Sequence, residues 1–352
     1  MFLPLSAVLF SLVALELSAT IRKSTEEGHI AFLVSRIQSS KPQMLAQKIQ
    51  GPLAARDSKT LYLLLMEGGV KAETEGNLRS LQALESSLVQ DFQRQYDRIL
   101  YYLSDDLKEF FGKCKILWDV ENLKMLLCYV LDGKSQQKCV NMVGPFGYLD
   151  AGAIESLEKS NTAEELINNS AKMLPVEFSS RLVVQDWSST MDIEFALDLA
   201  AFAFLQITSK EMGTWKTRMV WDFMDISYEL QNLITIGRFK LSKMPSENIE
   251  SFLFPSSRRL DRSEYASLLE SANYPSFLRI LRRSYYGKWL SDGDVDPKAL
   301  EDRLRKAVLD IGSERATIEM SKVARFLAEL EMHYETIRKA AFLVAVKALD
   351  EE

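Results

Sequence analysis

Trp118-Asp119-Val120-Glu121-Asn122-Leu123-Lys124-Met125-Leu126-Leu127 reads as a helix start followed at once by an amphipathic run. Asp119 is a good N-cap residue, because a carboxylate accepts bonds from the free N–H groups of a first turn. Val120, Leu123, Leu127 and Val130 then recur at the helical period and make one apolar stripe, with Glu121 and Lys124 on a wetter flank. Taken alone the stretch is an ordinary buried helix.

The chain writes it twice. Ile226-Ser227-Tyr228-Glu229-Leu230-Gln231-Asn232-Leu233-Ile234 repeats the acid, the Asn-Leu pair and the stripe (Ile226, Leu230, Leu233, Gly237), with Asn122 and Asn232 separated by 110 residues. Pro145 is matched by Pro255 at the same offset. Leu149-Asp150 is then matched by Leu260-Asp261, and Ser160 by Ser271, at an offset of 111. One inserted residue accounts for the change. Ordered markers at nearly one spacing point to an internal duplication of a helical unit of about a hundred residues, longer than the usual solenoid repeats.

At 352 residues the chain is long enough to bury a large core in two or three domains. Only 15 Gly and 9 Pro leave few breakers between long Leu/Ala/Glu/Lys-rich runs, which predicts an all-α protein. A net charge of −6 argues against a nucleic-acid partner. Cys114, Cys128 and Cys139 are odd in number and lack C-x-x-C spacing, so reduced core thiols are expected rather than disulfides or zinc. His29 and His333 are a poor stock for metal or triad chemistry.

Residues 1–20 are the most apolar part, without charge until Glu16 and with no basic residue before the apolar core. Three readings are open: a peripheral helix, which is preferred, a degenerate signal, or an over-extended start. Ile30, Leu33, Val34 and Ile37 stripe a helix that Pro42 ends, and another passes through residues 61–65. Residues 77–111 read as one long helix closed by Phe110, Phe111 and Gly112, and the next runs from Asp119 to near Gly133. Past the Gly144-Pro145-Phe146-Gly147 turn, short helices are opened by Asp150 and by Asn161-Thr162, with Ser160 or Thr162 as the second cap. Long helices follow over 186–209 and 213–241. Turns at Pro245-Ser246, Ser263-Glu264 and Tyr274-Pro275 start shorter ones, and two more helices span Lys298 to Glu352. With no low-complexity linker, one compact body is expected. Its parts are an apolar extension (1–25), a first unit (26–175), a second (176–290) and a shortened third (291–352).

Catalytic signatures are missing. Gly133-Lys134-Ser135 has Cys128 where a phosphate loop needs its leading glycine, and no strand precedes it. The acidic loop 291–297 lacks the glycine and glutamate of a calcium-binding loop. Asp105-Asp106 and Glu164-Glu165 suit helix starts, where acids favour the dipole. No catalytic residue, cofactor site or metal site is assigned. A binding or transmitting role is the better expectation.

Asp119-Val120-Glu121-Asn122-Leu123-Lys124, and Asn232-Leu233 with Arg238-Phe239-Lys240, resemble the marker of a rotary-ATPase family: the C subunit of archaeal and bacterial A/V-type enzymes, which is the d subunit of the eukaryotic vacuolar enzyme. That family's proline turn is similar to Pro145-Phe146-Gly147-Tyr148-Leu149 and to Pro255-Ser256-Ser257-Arg258-Arg259-Leu260. A weaker third copy runs from Phe326 to Arg338, and Ile30 to Arg36 resembles the family's opening helix. The second copy departs in having Glu229 for Asp119 and no glycine after Pro255. The repeat markers carried by the resemblance are Asp119, Asn122, Leu123, Pro145, Asp150, Glu229, Asn232, Leu233, Pro255 and Asp261, with a structural role.

The resemblance implies three related helical units arranged as a funnel with pseudo-threefold symmetry. It also implies a non-catalytic central-stalk subunit, peripheral on the cytoplasmic face of the membrane. There it would couple the shaft, made of the central-stalk D and F subunits, to the membrane rotor ring for proton or sodium transport. The alternatives are a helical scaffold or adaptor outside any ATPase, and an enzyme with an unrecognised helical site.

Overall fold

A computed structural model describes residues 90, 93–94, 96–101, 103–132, 145–182, 189–290 and 296–314. Among them there are helices and no strand. The apolar extension, the expected helices before residue 90, both histidines, Cys139, the Gly133-Lys134-Ser135 stretch, the acidic loop 291–295 and the third marker copy lie outside the described residues.

The helices are α1 (Asp105–Cys114), α2 (Ile116–Asp132), α3 (Ala151–Glu158), α4 (Ala163–Ala171), α5 (Val176–Ser179), α6 (Thr190–Met212), α7 (Trp215–Leu241), α8 (Ser246–Glu250), α9 (Arg262–Leu269), α10 (Tyr274–Leu281) and α11 (Pro297–Glu314), with a 3-10 turn at Tyr285–Trp289. Helix α6 packs against α2 and α7, and α11 runs along α7. Short helices form a lid over each long one. Helices α3 and α4 pack on α2, and α10, backed by α9, packs on α7.

The expected single helix over 77–111 is corrected. Ser104 is extended (φ −67°, ψ 156°), so the helix that includes 96–101 and α1 are separate elements. The misreading has a physical source. Ile99, Leu103, Leu107 and Phe110 are all buried and continue one stripe straight across the break. What stops the helix is polar: Ser104 donates to the Asp106 carboxylate, and Asp105 and Asp106 occupy the first turn of α1. Nor do Phe110, Phe111 and Gly112 close it, since α1 runs on to Cys114. At Lys115 the chain takes tighter bonds (Lys115 N to Gly112 O, 3.3 Å; Trp118 N to Lys115 O, 3.1 Å) and re-enters the helix as α2.

The corresponding break between α6 and α7 is sharper. Gly213 takes φ +64°, the left-handed conformation a helix C-terminus favours, and Thr214 caps α7 by accepting from Thr217 N at 3.2 Å. Ser189 caps α6, and Thr162 rather than Ser160 caps α4.

Among the described residues, two apolar clusters form the core. The first gathers Leu107, Phe110, Leu123, Leu127, Leu166, Phe178 and Phe202; the second gathers Leu230, Leu233, Leu268, Phe277, Leu281 and Leu304. Helix α7 belongs to both, giving Val220 and Trp221 to the first and Ile226 onward to the second. It is the beam on which the two bodies of core are hung. Cys114 is a buried free thiol, whereas Cys128 is exposed, contrary to the core position expected of it.

Candidate functional site

Asp119 lies in the first turn of α2 and is completely buried. It does not cap its own helix, as the sequence suggested, because α2 already starts at Ile116. Its carboxylate reaches across the fold instead. It accepts from the backbone N–H groups of Tyr148 (2.7 Å) and Leu149 (3.0 Å), in the turn that leads from Pro145 into α3. Asp150 then caps α3 by accepting from Ala153 N at 2.7 Å. The turn comes so close to the acid that a Cβ on Gly147 would stand 2.1 Å from Asp119 Oδ1. Glycine is needed there for space.

Glu229, on α7, is equally buried and does the same work in the second copy. It accepts from the N–H groups of Arg258, Arg259 (2.9 Å) and Leu260 (3.0 Å), ahead of α9. Asp261 caps α9 in a reciprocal capping box with Glu264. Asn232, one turn along from Glu229, grips the residue before Pro255 twice: Nδ2 donates to Phe254 O (2.9 Å) and Phe254 N donates to Oδ1 (2.8 Å). Asn122 is buried at the corresponding place on α2, and Leu123 and Leu233 are both wholly buried on the apolar face. Pro145 and Pro255 open their turns at the surface. The predicted marker residues thus sit in two carboxylate clamps, each tying a long helix to its lid.

The two departures between the copies explain each other. Asp119 faces a turn with three residues between proline and leucine, one of them Gly147; Glu229 faces a turn with four and no glycine. The longer acid reaches the N–H groups of a longer turn, which carries no glycine. Gly147 could have been singled out from the sequence by this covariation of acid length, turn length and glycine.

Burial pushes the Asp119 carboxyl up to about 6, outweighing the two N–H bonds that favour its charge. Burial likewise raises Glu229 against its three N–H donors. The Tyr286 hydroxyl, also buried, is pushed up by that burial and then by the Glu229 charge. The sign for stability follows by linkage. A carboxyl whose folded value lies above its unfolded value of about 3.9 holds its proton more tightly when folded, so its contribution is greatest at low pH and fades as pH rises toward 6 and beyond. The protein should therefore gain about 1 kcal/mol from Asp119 between pH 7.5 and pH 5. Urea unfolding at the two pH values should show this gain in the wild type and its loss in Asp119→Asn; equal slopes in both proteins would contradict it.

A second polar cluster was not foreseen. The starts of α1 and α7 meet where buried Lys216 donates to Ser104 Oγ at 3.2 Å. Although burial acts against its charge, Asp106 is held below the usual carboxylate range by the Ser104 and Thr214 hydroxyls and the Lys216 ammonium. Ser104 and Thr214 are themselves 110 residues apart, as are Asp106 and Lys216. Applying the marker offset to Gly213-Thr214 would have exposed the break at residues 103–104. Farther along, Lys124 of α2 bridges Asp198 of α6 and Glu121, and so ties two long helices together.

The two clamp carboxylates are taken up by backbone donors, and Asp106, Lys216 and Lys124 by side chains around them. Among the described residues, no group of three His, Cys, Asp or Glu side chains is placed to hold a metal ion. No helix among them is long and apolar enough to cross a membrane.

Comparison with known proteins gives these observations a family. The C subunit of the A-type ATP synthase of Pyrococcus horikoshii is 26% identical over 368 residues, covering 98% of this chain and 94% of that protein. Its namesake from Methanothermobacter thermautotrophicus is 20% identical over 344 residues, covering 93% and 87%. That from Methanosphaera stadtmanae is 21% identical over 212 residues, covering 60% and 54%. The family model described as ATP synthase (C/AC39) subunit matches residues 33–338, which takes in both carboxylate clamps and the expected third marker copy, and the chain belongs to that family.

Proposed function

We propose that this chain is the non-catalytic central-stalk subunit of an A/V-type rotary ATP synthase or ATPase. In this reading it joins the D and F subunits of the shaft to the membrane rotor ring, and it sits on the cytoplasmic face of the membrane through the complex. The family match over residues 33–338 carries the reading. The physical character of the site supports it. Asp119 and Glu229 are committed to backbone N–H groups and Asn232 to a backbone peptide, so their bonds brace turns against long helices rather than face a substrate. A part that passes torque needs such bracing, since dense interiors with satisfied polar groups deform little. On this reading the units 26–175 and 176–290 are copies of one ancestral unit, the third is 291–352, and the three surround a central axis.

Membranes from cells lacking the chain should retain ATP hydrolysis by the soluble head. ATP-driven ion uptake into inverted vesicles should fall to background and return on adding the full-length protein. Uptake that persists without the chain, or a chain that never co-sediments with ATPase subunits, would overturn the reading in favour of a scaffold outside the complex.

A further inference from the structure

The two lids carry opposite charge. Between residues 148 and 179, two Lys/Arg stand against six Asp/Glu, a net −4; between 258 and 290, seven stand against three, a net +4 in a chain whose total is −6. The lids hold matching places in their units: each is tied down by a buried acid (Asp119 or Glu229) and opened by an aspartate cap (Asp150 or Asp261). Leu149, Leu157, Leu166 and Ile167 of the first lid are matched by Leu260, Leu268, Phe277 and Leu278 of the second, all buried, so these packed positions give no reason for the difference in charge.

The positive charge of the second lid is concentrated, and Arg262, Arg279, Arg283 and Lys288 carry part of it at the surface. Arg259 and Lys288 both lie over the Tyr285 ring, each 4.9 Å from its centroid, which brings two cations to one aromatic side chain. Arg283 is two residues from that ring and Arg262 three from Arg259. Arg262, Arg279 and Arg283 are exposed and form no ion pair with any described residue, whereas Arg258 of the same lid, and Arg238 and Arg305 outside it, are paired with carboxylates. Like charges held together in this way repel one another until an anionic surface covers them. Arginine is six of the seven cations, and its planar fork suits carboxylates bidentately.

We propose that the exposed cations of the second lid, Arg262, Arg279, Arg283 and Lys288, form a docking surface for an acidic face of another protein subunit of the rotary complex. The proposal rests on the function proposed above. A protein suits the surface better than a lipid bilayer does. Peripheral attachment to lipid couples basic charge to buried apolar side chains, and none of the large exposed hydrophobic residues lies between 258 and 290. Tyr148, Met173 and Val176 are exposed instead on or beside the acidic lid. The basic surface is a rim-type charge patch, whose effect falls on association and on salt dependence.

The test uses the full-length chain and the complex isolated from cells that lack it, with affinity measured at 50 and 200 mM salt. The variant Arg262→Glu/Arg279→Glu/Arg283→Glu should bind at least tenfold more weakly than wild type at the lower salt and lose most of the salt dependence. Its circular dichroism and melting temperature should be unchanged, since the three side chains are exposed. Reversal of three exposed acids of the other lid (Glu155→Lys/Glu164→Lys/Glu177→Lys) should leave binding unweakened. Wild-type affinity and salt slope in the arginine variant would overturn the docking surface, as would an equal loss in the acid-lid variant. Wild-type chain that fails to bind the complex at all would instead remove the proposed function, and the docking surface with it. Loss of binding to vesicles containing acidic phospholipid, with binding to the complex intact, would reassign the patch to the membrane.

Discussion

Glu229→Ala should lower folding stability by roughly 4 kcal/mol, the summed cost of leaving buried donors without an acceptor at about 1–3 kcal/mol each. Three backbone N–H groups, those of Arg258, Arg259 and Leu260, converge on this carboxylate, and a methyl group can accept from none of them. The damage should be local at first. The turn from Pro255 to Asp261 loses its anchor, and α9 and α10 then lose the register that seats Leu268 and Phe277 in the second core. Glu229→Gln should fall between wild type and alanine. It keeps one oxygen acceptor and removes a buried charge whose carboxyl is already raised by burial, but it turns an N–H₂ group toward one of the donors. Urea unfolding followed by circular dichroism and by Trp289 fluorescence would measure this order. A loss below about 1 kcal/mol in the alanine variant would mean that water replaces the clamp at little cost.

Gly147→Ala is the second large effect. The added methyl would coincide with the Asp119 carboxylate, 2.1–2.2 Å from three of its atoms. Either the turn or the acid must move, and the two N–H bonds from Tyr148 and Leu149 are lost in the process. The expected cost is about 3 kcal/mol, on the scale of a buried steric conflict. The decisive measurement is a double-mutant cycle. In an Asp119→Ala background the methyl has room, so Gly147→Ala should then cost under about 1 kcal/mol and the coupling energy should exceed about 2 kcal/mol. Ser257→Ala, at the counterpart position in the second copy, removes only a hydroxyl bonded to Leu260 O and should cost about 1 kcal/mol. Additive losses at residues 119 and 147 would show that the glycine is required for some other reason.

Much of this was legible in the sequence, because the signals were periodic or repeated. The stripes Val120-Leu123-Leu127 and Ile226-Leu230-Leu233 are buried as their spacing predicts, and the caps at Asp150 and Thr162 fall where short polar residues precede apolar runs, whereas the start expected at Ser263-Glu264 lies earlier, at Arg262 behind its Asp261 cap. What was misread turned on the destination of a polar side chain. Asp119 has the composition of a cap, yet its bonds go to residues 29 and 30 positions later, and local pattern carries no information about that partner. The break at Ser104 was hidden because burial continues through it from Ile99 to Phe110. Gly147 looked like an ordinary turn glycine, and only the position of a carboxylate brought in from α2 makes it a steric requirement. Residue type alone places Cys128 in the core, but on α2 it is exposed.

The tightened step at Lys115 divides α1 from α2, while α7, its counterpart by the marker offset, runs unbroken through 27 residues. At the usual rise per residue that is a strut about 40 Å long with a single hydrogen-bond ladder. A rod with one soft joint and a rod with none do not share a load equally. Under an imposed twist the first gives way at its joint and behaves as a spring, and the second stays straight and sets the geometry. Two arms of common design therefore differ in compliance, and elastic deflection in this molecule should gather beside Lys115.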